Sequence, residues 1–183
     1  YSRGDFLMYI DRLYRVSGVG TVVSGTIKTG EIRSGEEVYI GPFHDGSFKK
    51  VRVQSIEMHY YRIEKASDGD IVGLAVKGVR AEELRRGMVV TKKEPKAVYE
   101  FVADVYVFSH PTRIKRGYEP VIHLETISET VVFEDMDREY LKAGDRGKVR
   151  MKFKYNPYYI FRGQKFIFRE GKSKGMGEIK EVF

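Results

Sequence analysis

Short runs such as GTVVSGTI, EEVYIGP, KKVRVQSIEM and DIVGLAVKG narrow the choice of fold for this chain more than any other feature. Each is rich in Val, Ile and Tyr and is bounded by Gly or Asp, the pattern of β-strands punctuated by turns. FLMYIDRLYRV and MVVTKK complete the first half; YEFVADVYVF, EPVIHLETISETVVFED, RGKVRMKFKY, QKFIFREG and GEIKEVF carry the pattern through the second. In KKVRVQSI, strict alternation predicts Val51, Val53 and Ser55 on one face and Arg52, Gln54 and Ile56 on the other. Only AEELRRG, residues 81–87, reads as a turn or two of helix, stopped by Gly87. Charge and Pro95 interrupt the strands at KKEPKAVYE, which reads as a linker. The expectation is an all-β chain of two consecutive antiparallel β-barrels, residues 1–94 and 97–183.

Composition removes several functions. With no cysteine among 183 residues, disulfides and thiolate metal sites are excluded, and His44, His59, His110 and His123 lack the spacing of metal ligands. No apolar run approaches the ~20 residues that span a bilayer, and no signal-like segment opens the chain, so a cytoplasmic protein without membrane contact is expected. One Asn and two Gln beside abundant Lys, Arg and Glu hint at a thermophile. The net charge of +7 is spread evenly, with 17 basic against 13 acidic residues in 1–96 and 16 against 13 in 97–183. Charge alone leaves both a solvated surface and a polyanion partner such as RNA open.

The stretch YRVSGVGTVVSGTIKTGEIRSGEEVYIGP, residues 14–42, invites a nucleotide reading, because Gly20 and Gly25 have the spacing that opens a P-loop. A P-loop then requires Lys and Ser or Thr; here Thr26 and Ile27 follow, so no ammonium reaches a phosphate. No NKxD motif is present, and the pairs Asp45-Gly46 and Asp68-Gly69 read as turns. No catalytic residues and no metal ligands are expected.

Taken in order, GVGTVVSGT, VQSIEM, DGDIVGLAVKGVRAEELRRGMVV and REGKSKGMGEI resemble the second and third domains of translational GTPases. Elongation factor Tu and elongation factor 1-alpha share that outline. FSHPTRI and FREGKSKGMGEI bring the resemblance closest to the GTP-binding protein 1 and 2 family, as an archaeal-type member. The resemblance implies an N-terminal GTPase domain, absent from this chain, which would bind GTP and Mg. It also implies that the chain by itself hydrolyses nothing.

By the same resemblance the glycine stretch lines a pocket for the 3′ end of tRNA or another RNA. Val16, Gly18, Val22 and Ser24 form one wall, with Glu57, Met58 and Tyr60 as the other. The carboxylate suits a ribose hydroxyl, the mark of RNA, and small apolar walls suit a base. Pairing of Glu57 with a neighbouring lysine is the alternative role for that residue. Three departures from the elongation factor Tu pattern stand out: Tyr60 in place of Arg, Ile71 in place of Asn, and Asp11-Arg12 in place of two acids. In the third domain, Thr130 in TISET and Arg169, Lys172 and Lys174 in REGKSKGMG, with flexible glycines, are expected on the RNA backbone of the acceptor and T stems. The aromatics of KYNPYYIFRGQKF read either as core or as a stacking surface for RNA. Expected partners are RNA, the GTPase domain and the ribosome; docking to a ribosome-rescue or mRNA-surveillance partner is the alternative.

Overall fold

A computed structural model of the chain describes residues 4–183; residues 1–3, which open the first expected domain, lie outside it. The chain divides into two compact units, Tyr1–Lys96 and Ala97–Phe183.

The first unit contains β1 (Leu7–Tyr9), β2 (Arg12–Val16), β3 (Gly20–Thr29), β4 (Glu31–Arg33) and β5 (Glu37–Gly41). After these come β6 (Lys49–Met58), β7 (Tyr61–Ile63), β8 (Lys65–Ser67), β9 (Ile71–Lys77) and β10 (Val89–Thr91). Antiparallel pairing runs β1–β10–β5–β6–β9–β3 and returns to β1, closing a barrel of six strands. Closure removes the open edges on which other chains could pair. Alternating side chains fill the interior, among them Met8, Ile27, Ile40, Ile56, Leu74 and Met88, each contributing about 1.5–3 kcal/mol by burial. The helix expected over residues 81–87 is only a three-residue 3-10 turn, Ala81–Glu83.

Two details depart from the sequence expectation. FLMYIDRLYRV is two strands, not one, because β3 shares one of its edges between them: β2 pairs with Gly20 to Ser24, β1 with Ile27 and Thr29. In β6 the register against β9 shifts between Val53 and Ser55, a β-bulge at Gln54. The extra residue reverses the alternation, so Val53 and Ile56 are both buried in the core although strict alternation separates them.

The second unit holds β11 (Glu100–Ser109), β12 (Val121–Leu124), β13 (Ile127–Met136), β14 (Arg146–Phe153), β15 (Lys165–Glu170) and β16 (Ser173–Val182). They close in the order β11–β14–β13–β12–β15–β16. Phe101, Phe133, Phe153 and Phe168 form a core of edge-on and tilted rings. Buried Tyr158 donates its hydroxyl to Oε1 of buried Glu129 at 2.9 Å, giving that inward carboxylate a partner.

Of the three glycines of REGKSKGMG only Gly171 lies in a turn; the other two are not loop residues. Gly175 and Gly177 are buried within β16, where a Cβ would run into the rings of Phe168 and Phe166; at Gly175 it would also stand 2.6 Å from the Tyr106 carbonyl oxygen. They are glycine so that aromatic rings can pack against bare backbone. For KYNPYYIFRGQKF the core reading holds for Tyr158, Tyr159 and Phe166, which are buried, while Tyr155 is exposed beside Lys154.

Candidate nucleic-acid interface

The β2–β3 hairpin carries the glycine stretch. Gly18 and Gly20 turn it with φ of +78° and +105°, the left-handed region that favours glycine. Beyond the turn, Thr21, Val23 and Gly25 are buried, while Val22, Ser24 and Thr26 face outward. Cross-strand register then assembles the outer face. Ser24 lies opposite Arg12 on β2 and Gly73 on β9; Gly73 lies opposite Glu57 on β6, and Glu57 opposite Arg62 on β7. Arg12, Ser24, Gly73, Glu57 and Arg62 therefore form one row across five strands. At a strand spacing of about 4.8 Å the row is about 19 Å long.

The adjacent row is Tyr14, Val22, Ala75 and Ser55. Ala75 is only 5% exposed yet is not a member of the barrel core. It makes a covered apolar floor on the outer side. Gly73 leaves bare backbone between a hydroxyl and a carboxylate; a Cβ added there would meet only Val22 Cγ1, at 3.4 Å. The face thus sets the bare backbone of Gly73 beside Val22, bordered by the hydrogen-bonding groups of Ser24 and Glu57. The β6 bulge aims Glu57 into it: with strict alternation from Val53, residue 57 would point into the core.

The expected wall residues do not all meet here. Val22, Ser24 and Glu57 share the outer face, with Val16 at the end of β2 opposite Gly20 and Gly18 in the turn. Met58, the next residue after Glu57, lies on the other side of β6, partly buried against the core. Tyr60 sits at the β6–β7 turn with φ +70°, its side chain 96% exposed. Glu57 is exposed and, among the described residues, takes part in no ion pair; its cross-strand neighbour is an arginine, not a lysine. Sequence reasoning does not single out Gly73, Ala75, Arg12 or Arg62 as site residues. An isolated glycine inside the apolar run DIVGLAV is the one signal that points to Gly73.

On the second barrel a similar row forms. Ser109 on β11 pairs with Lys174 on β16, Lys174 with Arg169 on β15, Arg169 with Val121 on β12, and Val121 with Thr130 on β13. Three of the four expected RNA-backbone residues, Thr130, Arg169 and Lys174, thus share one outer row. Lys172 stands in the β15–β16 turn, where its carbonyl accepts a hydrogen bond from Ser109 Oγ at 3.0 Å. His110 Nδ1 and Ser173 Oγ share a further bond of 2.7 Å, and the Tyr118 ring stands edge-on to His110. These contacts tie the cationic turn to the segment after β11. Among the described residues no cluster of His, Asp or Glu could hold a metal ion, and no helix is long and apolar enough to cross a membrane.

Both units match known families. The family described as elongation factor Tu domain 2 matches residues 20–91, and the elongation factor Tu C-terminal domain matches residues 94–183. GTP-binding protein 1 of Xenopus laevis is 34% identical over 175 residues, covering 94% of this chain and 27% of that protein. GTP-binding protein 2 of Homo sapiens is 34% identical over 176 residues, 94% of this chain and 29% of that protein. Elongation factor 1-alpha of Staphylothermus marinus is 35% identical over 197 residues, 94% of this chain and 44% of that protein. The chain spans less than half the length of each of these relatives. It belongs to the translational GTPases of the elongation factor Tu type, and its two barrels are their second and C-terminal domains.

Proposed function

We propose that the two barrels are the RNA-holding part of a GTP-binding protein of this type. The first barrel takes the 3′ end of a tRNA or similar RNA, and the second grips the phosphates of its acceptor and T stems. GTP and Mg belong to a separate GTPase domain, whose state the barrels would report to the RNA. The observation that carries the reading is the row Ser24–Gly73–Glu57. A hydroxyl, a bare backbone floor and a carboxylate held in line suit a terminal nucleoside, with Glu57 accepting from the ribose 2′-hydroxyl and the base lying over Gly73 against Val22. Arg169 and Lys174, exposed cations in one row with Thr130, and Lys172 in the adjoining turn supply sequence-independent phosphate contacts.

The test is a cycle between protein and RNA. A hydrogen bond to a charged group is worth about 1.5–3 kcal/mol, so Glu57→Ala weakens binding of a short RNA by about ten- to 150-fold with an unchanged melting temperature. Replacing the terminal ribose by 2′-deoxyribose weakens binding to the unaltered chain equally and has no further effect on Glu57→Ala. Additive losses, or no loss from either change, would falsify the assignment of Glu57.

A further inference from the structure

Three connections lie at one end of the second barrel: residues 110–120 after β11, 137–145 after β13, and Gly171–Lys172 between β15 and β16. The first of them, HPTRIKRG over residues 110–117, crosses the barrel mouth and is fixed along its length. At its start Ser109 and His110 are bonded to Lys172 and Ser173 of the β15–β16 turn. In the middle, buried Ile114 and Leu141 exchange backbone hydrogen bonds of 2.6 and 2.9 Å, and the Arg113 guanidinium lies 4.2 Å from the centre of the Tyr140 ring. At its far end the Gly117 amide donates to the Phe133 carbonyl at 2.8 Å.

Charge on this end is uneven. Residues 110–117 carry Arg113, Lys115 and Arg116 and no acid; residues 169–174 carry Arg169, Lys172 and Lys174 against Glu170 alone. Arg116 is neutralised by Asp135 at 2.8 Å. Arg113 and Lys115 are exposed and, among the described residues, take part in no ion pair. The 137–145 loop on the other side is not cationic: Asp137, Glu139 and Asp145 stand against Arg138 and Lys142, and Glu134 on the adjoining wall is exposed. Glu119, beyond the mouth, is held by Lys154. The cationic strip therefore runs from the β15–β16 turn along residues 110–117 and is bounded by acids on its far side.

We propose that Arg113 and Lys115 continue the phosphate grip of the β15–β16 turn, so that the mouth of the second barrel sits on the backbone of an RNA helix. The proposal rests on the reading of that turn as a phosphate contact and adds to it a loop that nothing in that reading includes. A paired stem is favoured over a single strand for a chemical reason. Single strands are held by charge together with aromatic faces on which bases stack. Residues 110–117 and 169–174 hold no Phe, Tyr or Trp, and the His110 ring is taken up by Ser173 and the edge of Tyr118. A helix keeps its bases inside and presents phosphates and 2′-hydroxyls, which a strip of fixed cations matches. The bounding acids repel a backbone that strays towards the 137–145 loop, which gives the contact a direction.

The test measures binding to the 183-residue chain by anisotropy over a range of salt. The probe is a dumbbell RNA, a stem closed by a loop at each end, so that no 3′ end is offered to the first barrel. An unstructured circular RNA of equal length is the comparison. Arg113→Gln with Lys115→Gln is expected to weaken dumbbell binding about tenfold or more at low salt and to lower the log–log slope by about 0.7–0.9 for each phosphate no longer neutralised. Binding of the circular RNA changes little. Because Arg113 also packs on Tyr140, Lys115→Glu serves as a second variant that alters charge without that contact. An unchanged slope in both variants, or an equal loss on the circular RNA, overturns the proposal. So does tighter binding of a polyglutamate peptide than of the dumbbell, lost in the same variants, which would make the strip a site for an acidic protein segment. If Lys172→Gln with Lys174→Gln lowers the slope while the 110–117 variants do not, the inference falls and the grip of the turn stands. If neither pair alters it, the RNA reading of the second barrel falls as well.

Discussion

Gly73 offers a perturbation in which stability and binding move in opposite directions. Its φ is outside the left-handed region, and an added Cβ would touch only Val22 Cγ1 at 3.4 Å, an ordinary van der Waals contact. Gly73→Ala therefore costs the fold nothing in strain. Fewer conformations in the unfolded chain should add about 0.4–1 kcal/mol. In a unit of this size that raises the melting temperature by about 2–8 °C. The new methyl group, however, rises from the floor between Ser24 and Glu57, where the proposed base lies. Lifting the base off the backbone forfeits much of a stacking contribution of about 1–3 kcal/mol, a loss of about five- to 150-fold in affinity. Calorimetry on the chain and anisotropy with a short RNA read the two quantities separately. A lower melting temperature would refute the conformational argument. Unchanged affinity with raised stability would mean that no ring occupies the space above Gly73.

Charge at the β15–β16 turn sets the salt dependence of RNA binding. Lys172→Gln and Lys174→Gln together should lower the log–log slope by about 0.7–0.9 for each phosphate no longer neutralised; an unchanged slope removes the turn from the interface. In the first barrel Glu83 accepts from the Arg80 amide at 2.8 Å and from Lys49 at 2.6 Å, and these bonds, the Arg80 amide first, hold its carboxyl below the usual 4.5. A depressed carboxyl pKa stabilises the fold above the unfolded value and loses that contribution as pH falls. Glu83→Gln should thus lower the melting temperature at pH 7, with the difference shrinking as the pH is taken below 4.5. An equal difference at both pH values would mean that the carboxylate charge is not what matters.

The barrels are legible in the sequence because period-two alternation and Gly-acid turns are local signals, and each survives without knowledge of the partner strand. What escapes the sequence depends on partners. Nothing in FLMYIDRLYRV marks a break after Ile10, since the break arises from two strands sharing the edge of β3. Gly175 and Gly177 read as loop residues until Phe168 and Phe166 are known to lie across the strand from them. Val22, Ser24 and Glu57 can be found through ordered motifs. Arg62 and Gly73 cannot, since their significance lies in whom they face. Adjacency in sequence groups Met58 with Glu57, whereas adjacent residues on a strand point to opposite sides.

The bulge at Gln54 links the core of the first barrel to its outer face. Strict alternation from Val53 would send residue 57 inward and residue 56 outward, putting a carboxylate in the core and an isoleucine in water. An unpaired buried carboxylate costs several kcal/mol, and exposing Ile56 forfeits about 1.5–3 kcal/mol more. One extra residue between Val53 and Ser55 corrects both together: Ile56 is fully buried, and Glu57 stands in the row with Gly73 and Arg62. The same hydrophobic demand that fixes the register of β6 therefore fixes the direction of Glu57. On the outer face the neighbouring positions answer to no such demand, and the row can carry exposed Arg12 and Arg62 without any cost to the core.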